Sequence, residues 1–360
     1  MTARIHFRGP PHYRLRSAAN LSQSVLEVSA RRALKGPRLP GWSWFLEVAT
    51  EVAKRRTLNA FHLSDIKEAR RYLDSMVIRS QELSAVNITP VVQRNFKGSW
   101  FDSKKLAGKK LASKKTEPRV TVLYFHGGGY SFYPQAYAHF IALITLTAKS
   151  RTFALDYRLS PEHRFPAQLE DALSAYRWLL EQGVDPARLI IAGDSAGGNL
   201  ALALLLAARD SKLPLPALAI ALSPPTDFEA NLTDRDFAAK KKEDFDWIDK
   251  SMLELWADWF CDSAERRNPL ISPLYADLHG LPPIYIQAGR AEILYPSIQA
   301  FADRAQKQRA DVVLETWEDM PHDFQLFGLD SRPSAEALQR IGHVIDVRVL
   351  GQKNMETVRS

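Results

Sequence analysis

Leu189-Ile190-Ile191-Ala192-Gly193-Asp194-Ser195-Ala196-Gly197-Gly198-Asn199-Leu200 is the stretch from which the rest of the chain can be read. Its first four residues are uniformly apolar, as in a strand buried on both faces, and residues 196–209 form an alanine- and leucine-rich segment of helical length. Between them Gly193 to Gly197 fits G-x-S-x-G, a serine on a sharp strand-to-helix turn. The glycines two positions either side are there for steric reasons: a strained turn leaves no room for side chains. The following helix directs its partial positive charge at the serine. Ser195 is therefore a candidate nucleophile. The plainer alternative is a glycine-rich turn with a capping serine.

A serine hydroxyl attacks only when a base takes its proton. Of the nine histidines, His322 in Asp319-Met320-Pro321-His322-Asp323-Phe324 follows the last predicted strand, Val312–Trp317. That is where the chain order serine, acid, histidine would put it. The acid then falls between the two at a strand end. Pro283–Gly289 reads as that strand, and Glu292 is the one carboxylate of the loop Arg290-Ala291-Glu292-Ile293-Leu294. Its task would be to hold the imidazole tautomer. Upstream, His126-Gly127-Gly128-Gly129-Tyr130 directly follows the strand Val120–Phe125. Bare amides there could stabilise an oxyanion, with Gly127, Gly128, Gly129 and Ala196 as the candidate donors. A phosphate-binding loop is the rival, but no Gly-Lys-Ser/Thr or G-x-G-x-x-G follows. His126 reads as structural.

Working outward, short apolar runs (Thr152–Asp156, Leu218–Leu222, Ile284–Ala288) alternate with helical patterns (Ala138–Lys149, Gln168–Glu181, Ser297–Gln308) from residue 88 onward. This predicts an α/β fold with a mostly parallel sheet covered on both faces. Residues 1–85 read as helices with little strand character. One runs through Trp42, Phe45, Leu46, Ala49 and Val52, another over 64–79 with Ser64 as N-cap. They form a candidate cap ahead of a catalytic domain at 86–360, and an insertion at about 225–270, including Ile248–Phe260, would complete it.

Composition narrows the classes. With 360 residues and 46% hydrophobic content the chain can bury a substantial core. Its longest apolar run is far short of the roughly 20 residues of a membrane span. The basic N-terminus has no apolar segment behind it, as a secretory signal needs. One cysteine, Cys261, excludes an intramolecular disulfide and suits a reducing, cytoplasmic location. The net charge of +7 concentrates in residues 4–16 and 97–119. From Lys104 the second stretch has small spacers and no aromatic interleaving, unlike a nucleic-acid platform, so it reads as a solvated loop and no nucleic-acid partner is expected.

Together HGGGY (126–130), DYRLSPEHRFPAQLEDA (156–172), GDSAGGN (193–199), SPLYADLHGLPP (272–283) and MPHDF (320–324) resemble the hormone-sensitive lipase-like branch of α/β-hydrolases over roughly residues 85–345. The resemblance implies an eight-stranded, mostly parallel sheet with a helical cap. It also implies a serine carboxylesterase acting on short- to medium-chain acyl esters, with no metal or organic cofactor. By the same resemblance Ser195 and His322 are catalytic, Gly128 and Gly129 join Ala196 at the oxyanion, and Arg158 and Glu162 organise a turn. Many members carry D-P-L-x-D at the acid position. This chain has Glu292-Ile293-Leu294-Tyr295-Pro296, a glutamate with no second acid. The expected partner is a small-molecule ester. No stable membrane insertion is expected, while transient contact with a lipid surface, through the helix of Trp42 and Trp44, and a homodimer stay open. The rivals are an arylacetamide-type amidase with the same triad and a non-catalytic receptor on the same fold.

Overall fold

The computed structural model describes residues 3–63, 65–107, 119–229 and 245–352. Ser64, most of the lysine-rich stretch and the insertion from 230 to 244 lie outside them. The strands are β1 (Ala3–Phe7), β2 (Met76–Ser80), β3 (Val86–Val92), β4 (Lys97–Ser103), β5 (Thr121–Phe125), β6 (Arg151–Asp156), β7 (Leu189–Asp194), β8 (Leu218–Leu222), β9 (Ile284–Gly289) and β10 (Val312–Trp317). Eight of them form one sheet in the order β3-β4-β6-β5-β7-β8-β9-β10. Only β4 runs against its neighbours.

The continuous apolar runs are explained by cover on both sides. Every residue of β7 and β8 is buried. Leu123, Phe125, Ile191 and Ile286 face one core with helices α5 (Ala167–Glu181), α6 (Ala196–Asp210) and α8 (Tyr295–Lys307). Val122, Tyr124, Ile190 and Ile220 face the other with α4 (Tyr137–Thr147) and α9 (Arg332–Arg348). Parallel strands place all their C-terminal ends on one edge, so the loops after β5, β7, β9 and β10 meet there.

The N-terminal region holds α1 (Pro11–Lys35), α2 (Trp44–Phe61) and α3 (Ile66–Leu73). It is not helical throughout, as the sequence suggested. β1 and β2 pair antiparallel from Ala3↔Ser80 to Phe7↔Met76, and the helix expected over 64–79 stops at Leu73. Asp65 caps that helix by accepting from the Lys67 amide at 3.0 Å. Arg70 on α3 fastens the region to the loops after β5 and β6 of the large sheet. Its guanidinium donates to the carbonyls of Ser131 and Ser160 and, with two nitrogens at 2.7 and 2.8 Å, to Glu162. From the insertion, α7 (Lys250–Phe260) brings Trp256 and Trp259 within 5.4 and 5.9 Å of the Phe61 ring at the end of α2.

Candidate active site

Ser195 sits between β7 and α6 with φ 48° and ψ −122°, a conformation L-residues rarely adopt. Backbone strain of this kind costs about 1–3 kcal/mol and persists only when its surroundings enforce it. Here the enforcement is close packing. A Cβ on Gly193 would collide with the Gly197 backbone, and one on Gly197 with the Phe125 carbonyl.

The loop after β10 places His322 Nε2 at 2.9 Å from Ser195 Oγ, with the imidazole 1% exposed. The loop after β9 carries Glu292, fully buried, whose Oε2 lies 3.5 Å from His322 Nδ1. That separation is long for a closed hydrogen bond, and contacts of this kind often tighten in the Michaelis complex. The three side chains named from sequence therefore converge. Burial pushes the Glu292 carboxyl up to about 7, against the pull of His322. For His322, burial opposes the charge, but Asp323 and then Glu292 outweigh it and hold the imidazolium above its usual range.

Asp323 is a surprise. It lies in the left-handed region at φ 48°, buried, with Oδ2 at 3.2 Å from His322 Nε2, on the same nitrogen that meets the serine. Nearby, Asp194 is fully buried and takes hydrogen bonds from the Tyr124 hydroxyl, from Tyr137 at 2.8 Å and from the Gly127 amide at 3.1 Å. Burial first, and Asp323 second, raise the Asp194 carboxyl to about 8.

That bond corrects one expectation. The Gly127 amide is committed to Asp194, so Gly127 drops out of the free donors facing the serine. The amides of Gly128, Gly129 and Ala196 make no hydrogen bond among the described residues. Gly129, at φ 59°, lies so close under the Trp256 indole that a Cβ would run into the ring. His126 is stacked between Tyr133 and Tyr157 at 3.6 and 4.1 Å, with Nδ1 2.7 Å from the Gly127 carbonyl. Burial lowers its pKa to about 3, so it stays neutral and shapes the loop. Arg158 is held by Asp171 and Glu170, and Glu162 by Arg70, away from the serine.

Sequence reasoning also missed Asp246 and Trp247 of the insertion. Asp246 Oδ1 accepts from the His322 amide at 3.0 Å and Oδ2 from the Ile293 amide at 2.8 Å. Trp247 Nε1 donates to the His322 carbonyl at 2.6 Å. No local motif marks these residues, because every partner except the Trp247 amide is at least 47 positions away. Among the described residues no group of three or more His, Cys, Asp or Glu could hold a metal ion, and no helix is long and apolar enough to cross a membrane. Chemically, the site offers a hydroxyl on an imidazole, a carboxylate behind it and open amides alongside, the parts acyl transfer requires.

Comparison with known proteins agrees with this chemistry. Residues 122–326 match a family model described as the alpha/beta hydrolase fold. An acetyl-hydrolase of Streptomyces hygroscopicus is 40% identical over 203 residues, covering 56% of this chain and 67% of that protein. An esterase of Acinetobacter venetianus is 29% identical over 304 residues, covering 83% and 95%. Among solved structures, an esterase of the bacterial hormone-sensitive lipase family superposes with a TM-score of 0.74 at 31% identity, covering 86% of this chain and 99% of that one. EstE5, soaked with p-nitrophenyl butyrate, superposes at 0.75 with 28% identity, covering 86% and 100%. With its sheet order, its elbow and these relatives, the chain belongs to the α/β-hydrolase family, in the hormone-sensitive lipase-like branch, and is a carboxylic ester hydrolase.

Proposed function

We propose that the chain hydrolyses short- to medium-chain acyl esters through an acyl-enzyme on Ser195. Ser195 Oγ attacks the ester carbonyl as His322 Nε2 takes its proton. The carbonyl oxygen becomes an oxyanion received by the amides of Gly128, Gly129 and Ala196. Collapse breaks the bond to the alcohol oxygen, which leaves with the proton from His322. Water then attacks the acyl carbon, gives its proton to the same nitrogen, and Ser195 departs with it. Glu292 orients the imidazole and stabilises its charged form without taking the proton. The observation that carries this reading is the 2.9 Å approach of His322 Nε2 to a serine held in a strained turn.

The N-terminal helices and the insertion act as a cap over this site, with Phe61, Trp256 and Trp259 as their shared aromatic contact. The name of the Streptomyces relative, an acetyl-hydrolase, supports small acyl groups. Contact with a lipid surface is assigned to α1, whose solvent side exposes Leu15, Leu26 and Leu34, in place of the helix of Trp42 and Trp44, where Trp42 is buried.

Two variants test the triad. Ser195→Ala is expected to abolish the burst of p-nitrophenol from p-nitrophenyl butyrate, and unchanged turnover rejects the mechanism. Glu292→Gln is expected to lower kcat by about 10⁴-fold with KM largely kept. A near-wild-type rate moves the acid role elsewhere.

A further inference from the structure

The insertion between β8 and β9 buries a carboxylate that touches none of the reacting atoms. Asp246 is 1% exposed. Its Oδ1 accepts from the His322 amide at 3.0 Å and from the Trp247 amide at 2.8 Å, while Oδ2 accepts from Ile293 at 2.8 Å. These three amides come from three segments: the loop carrying the base, the loop carrying the acid, and the insertion itself. Ile293 is the residue directly after Glu292. Trp247 adds a grip from the other side, through its indole N–H on the His322 carbonyl, with the ring centroid 5.4 Å from the imidazole. The His322 backbone is thus held at both its amide and its carbonyl by consecutive residues of the insertion.

A carboxylate buried in this way is costly unless its oxygens are satisfied, and charged acceptors of backbone N–H make the stronger hydrogen bonds. Burial does raise the Asp246 carboxyl, with His322 and the three amides pulling it back. Apolar packing could have joined the loops without such a cost. What an aspartate adds is direction, because two oxygens at fixed spacing set where two amides must lie. Elsewhere the acid and base loops are tied by the Ala291 amide on the Met320 carbonyl and the Arg290 amide on the Trp317 carbonyl, both short of His322 itself. The loop after β9 supplies no second acid of its own, since Pro296 stands four residues after Glu292.

We propose that Asp246 is a positioning residue that locks the base loop to the acid loop, so that seating of the insertion sets the alignment of His322 with Ser195 and Glu292. The proposal rests on the triad assigned above. It makes catalytic competence depend on the cap as well as on the sheet. Misplacement of a catalytic group by about 1 Å can cost about 100-fold in rate, so loosening this clamp acts on kcat.

The experiment compares Asp246→Asn, Asp246→Ala and Trp247→Phe in the full chain, with kcat and KM for p-nitrophenyl butyrate, the pH profile of kcat/KM and the melting temperature. Asparagine keeps one acceptor and loses the charge, alanine loses both, and phenylalanine removes the indole N–H together with part of the ring that faces the imidazole. Expected are kcat losses of about 10-fold for asparagine and about 100-fold for alanine, with KM within about twofold. The titratable groups around the imidazole are Asp323 and Glu292 in contact, Asp246 behind its backbone, and Asp194 next to Asp323. Losing one negative charge from this set destabilises the imidazolium, so the acid limb shifts to lower pH in both Asp246 variants. A lower melting temperature with wild-type kcat and an unmoved limb overturns the proposal and leaves a structural role only. Should neither Asp246 variant fold, Trp247→Phe decides, with a kcat loss of several-fold expected and a wild-type kcat overturning the clamp. Ser195→Ala keeps the two levels apart: if it stays active the triad itself is wrong, whereas if it is dead and the clamp variants are wild type, only the clamp is wrong.

Discussion

Asp323 meets the imidazole on the nitrogen that also faces the serine hydroxyl, 3.2 Å from Nε2 against 2.9 Å for Ser195 Oγ. A buried carboxylate in this place favours the charged ring, and it is the largest influence opposing burial at His322. Asp323 in turn helps to hold the Asp194 carboxyl up, second to burial, while burial raises Asp323 itself against the pull of His322. The consequence for pH follows directly. In the proposed mechanism His322 acts as base only when neutral, so an imidazolium held above its usual range moves the acid limb of kcat/KM above about pH 6.5. Asp323→Asn removes the negative charge, the ring gives up its proton more easily, and the limb moves to lower pH. A pH series on p-nitrophenyl butyrate checks this. An unmoved limb would mean that Asp323 is already protonated across the range and leaves His322 unperturbed.

At the level of elements, the strand-to-helix turn at Ser195 and the loops after β9 and β10 were legible because each carries its signal locally: glycines where backbones touch, apolar runs of strand length, a histidine just past the last strand. What escaped depends on partners distant in sequence. β1 and β2 pair across nearly seventy residues with no turn between them, and their side chains, Arg4, Arg79 and His6 among them, do not alternate cleanly. β3 and β4 carry Pro90 and Gly98, which dilute strand character, and they are set by pairing at the sheet edge. Gly127 was misassigned because a triple glycine does not reveal which of its amides a buried Asp194 will claim. Trp256 belongs to this scale too. As a helix residue it looks like core, yet α7 lays its indole on Gly129, beside the amides assigned to the oxyanion, with its own Nε1 buried and lacking a hydrogen-bond partner. On the proposed mechanism the indole would then lie over the bound acyl group. Trp256→Leu is expected to raise kcat/KM for the octanoate ester relative to the butyrate by about tenfold, since one or two methylenes in an apolar pocket are worth that much. An acyl-length series from C2 to C12 measures it, and an unchanged profile returns Trp256 to a packing role.

Over the whole molecule the charge is unevenly spread. Residues 1–46 carry eight basic side chains (Arg4, Arg8, Arg14, Arg16, Arg31, Arg32, Lys35 and Arg38) and one acidic, Glu27, leaving forty of each sign for the rest. Arg31 and Arg32 pair with buried Glu47, but Arg4, Arg8, Arg14 and Lys35 are exposed. Along α1 polar residues share the buried side with Tyr13 and Val28, and three leucines face solvent. Ser17, Asn20 and Ser24 are buried, with Ser17 bonded to Ser75 and Arg56 and Asn20 to Tyr72, while Leu15, Leu26 and Leu34 are 71%, 68% and 84% exposed. Leucines outward with basic residues near both ends match an anionic bilayer surface, where each cation contributes about 1 kcal/mol and each buried leucine about 1.5–3 kcal/mol. The full chain is expected to co-sediment with phosphatidylglycerol-containing vesicles more than with pure phosphatidylcholine, and to be released by salt. Leu26→Glu should weaken that binding by at least about tenfold, while hydrolysis of soluble p-nitrophenyl butyrate stays unchanged. If the chain ignores both vesicles, and the same substitution instead splits a dimer in sedimentation velocity, the leucine face belongs to a second copy of the chain and the lipid assignment is wrong.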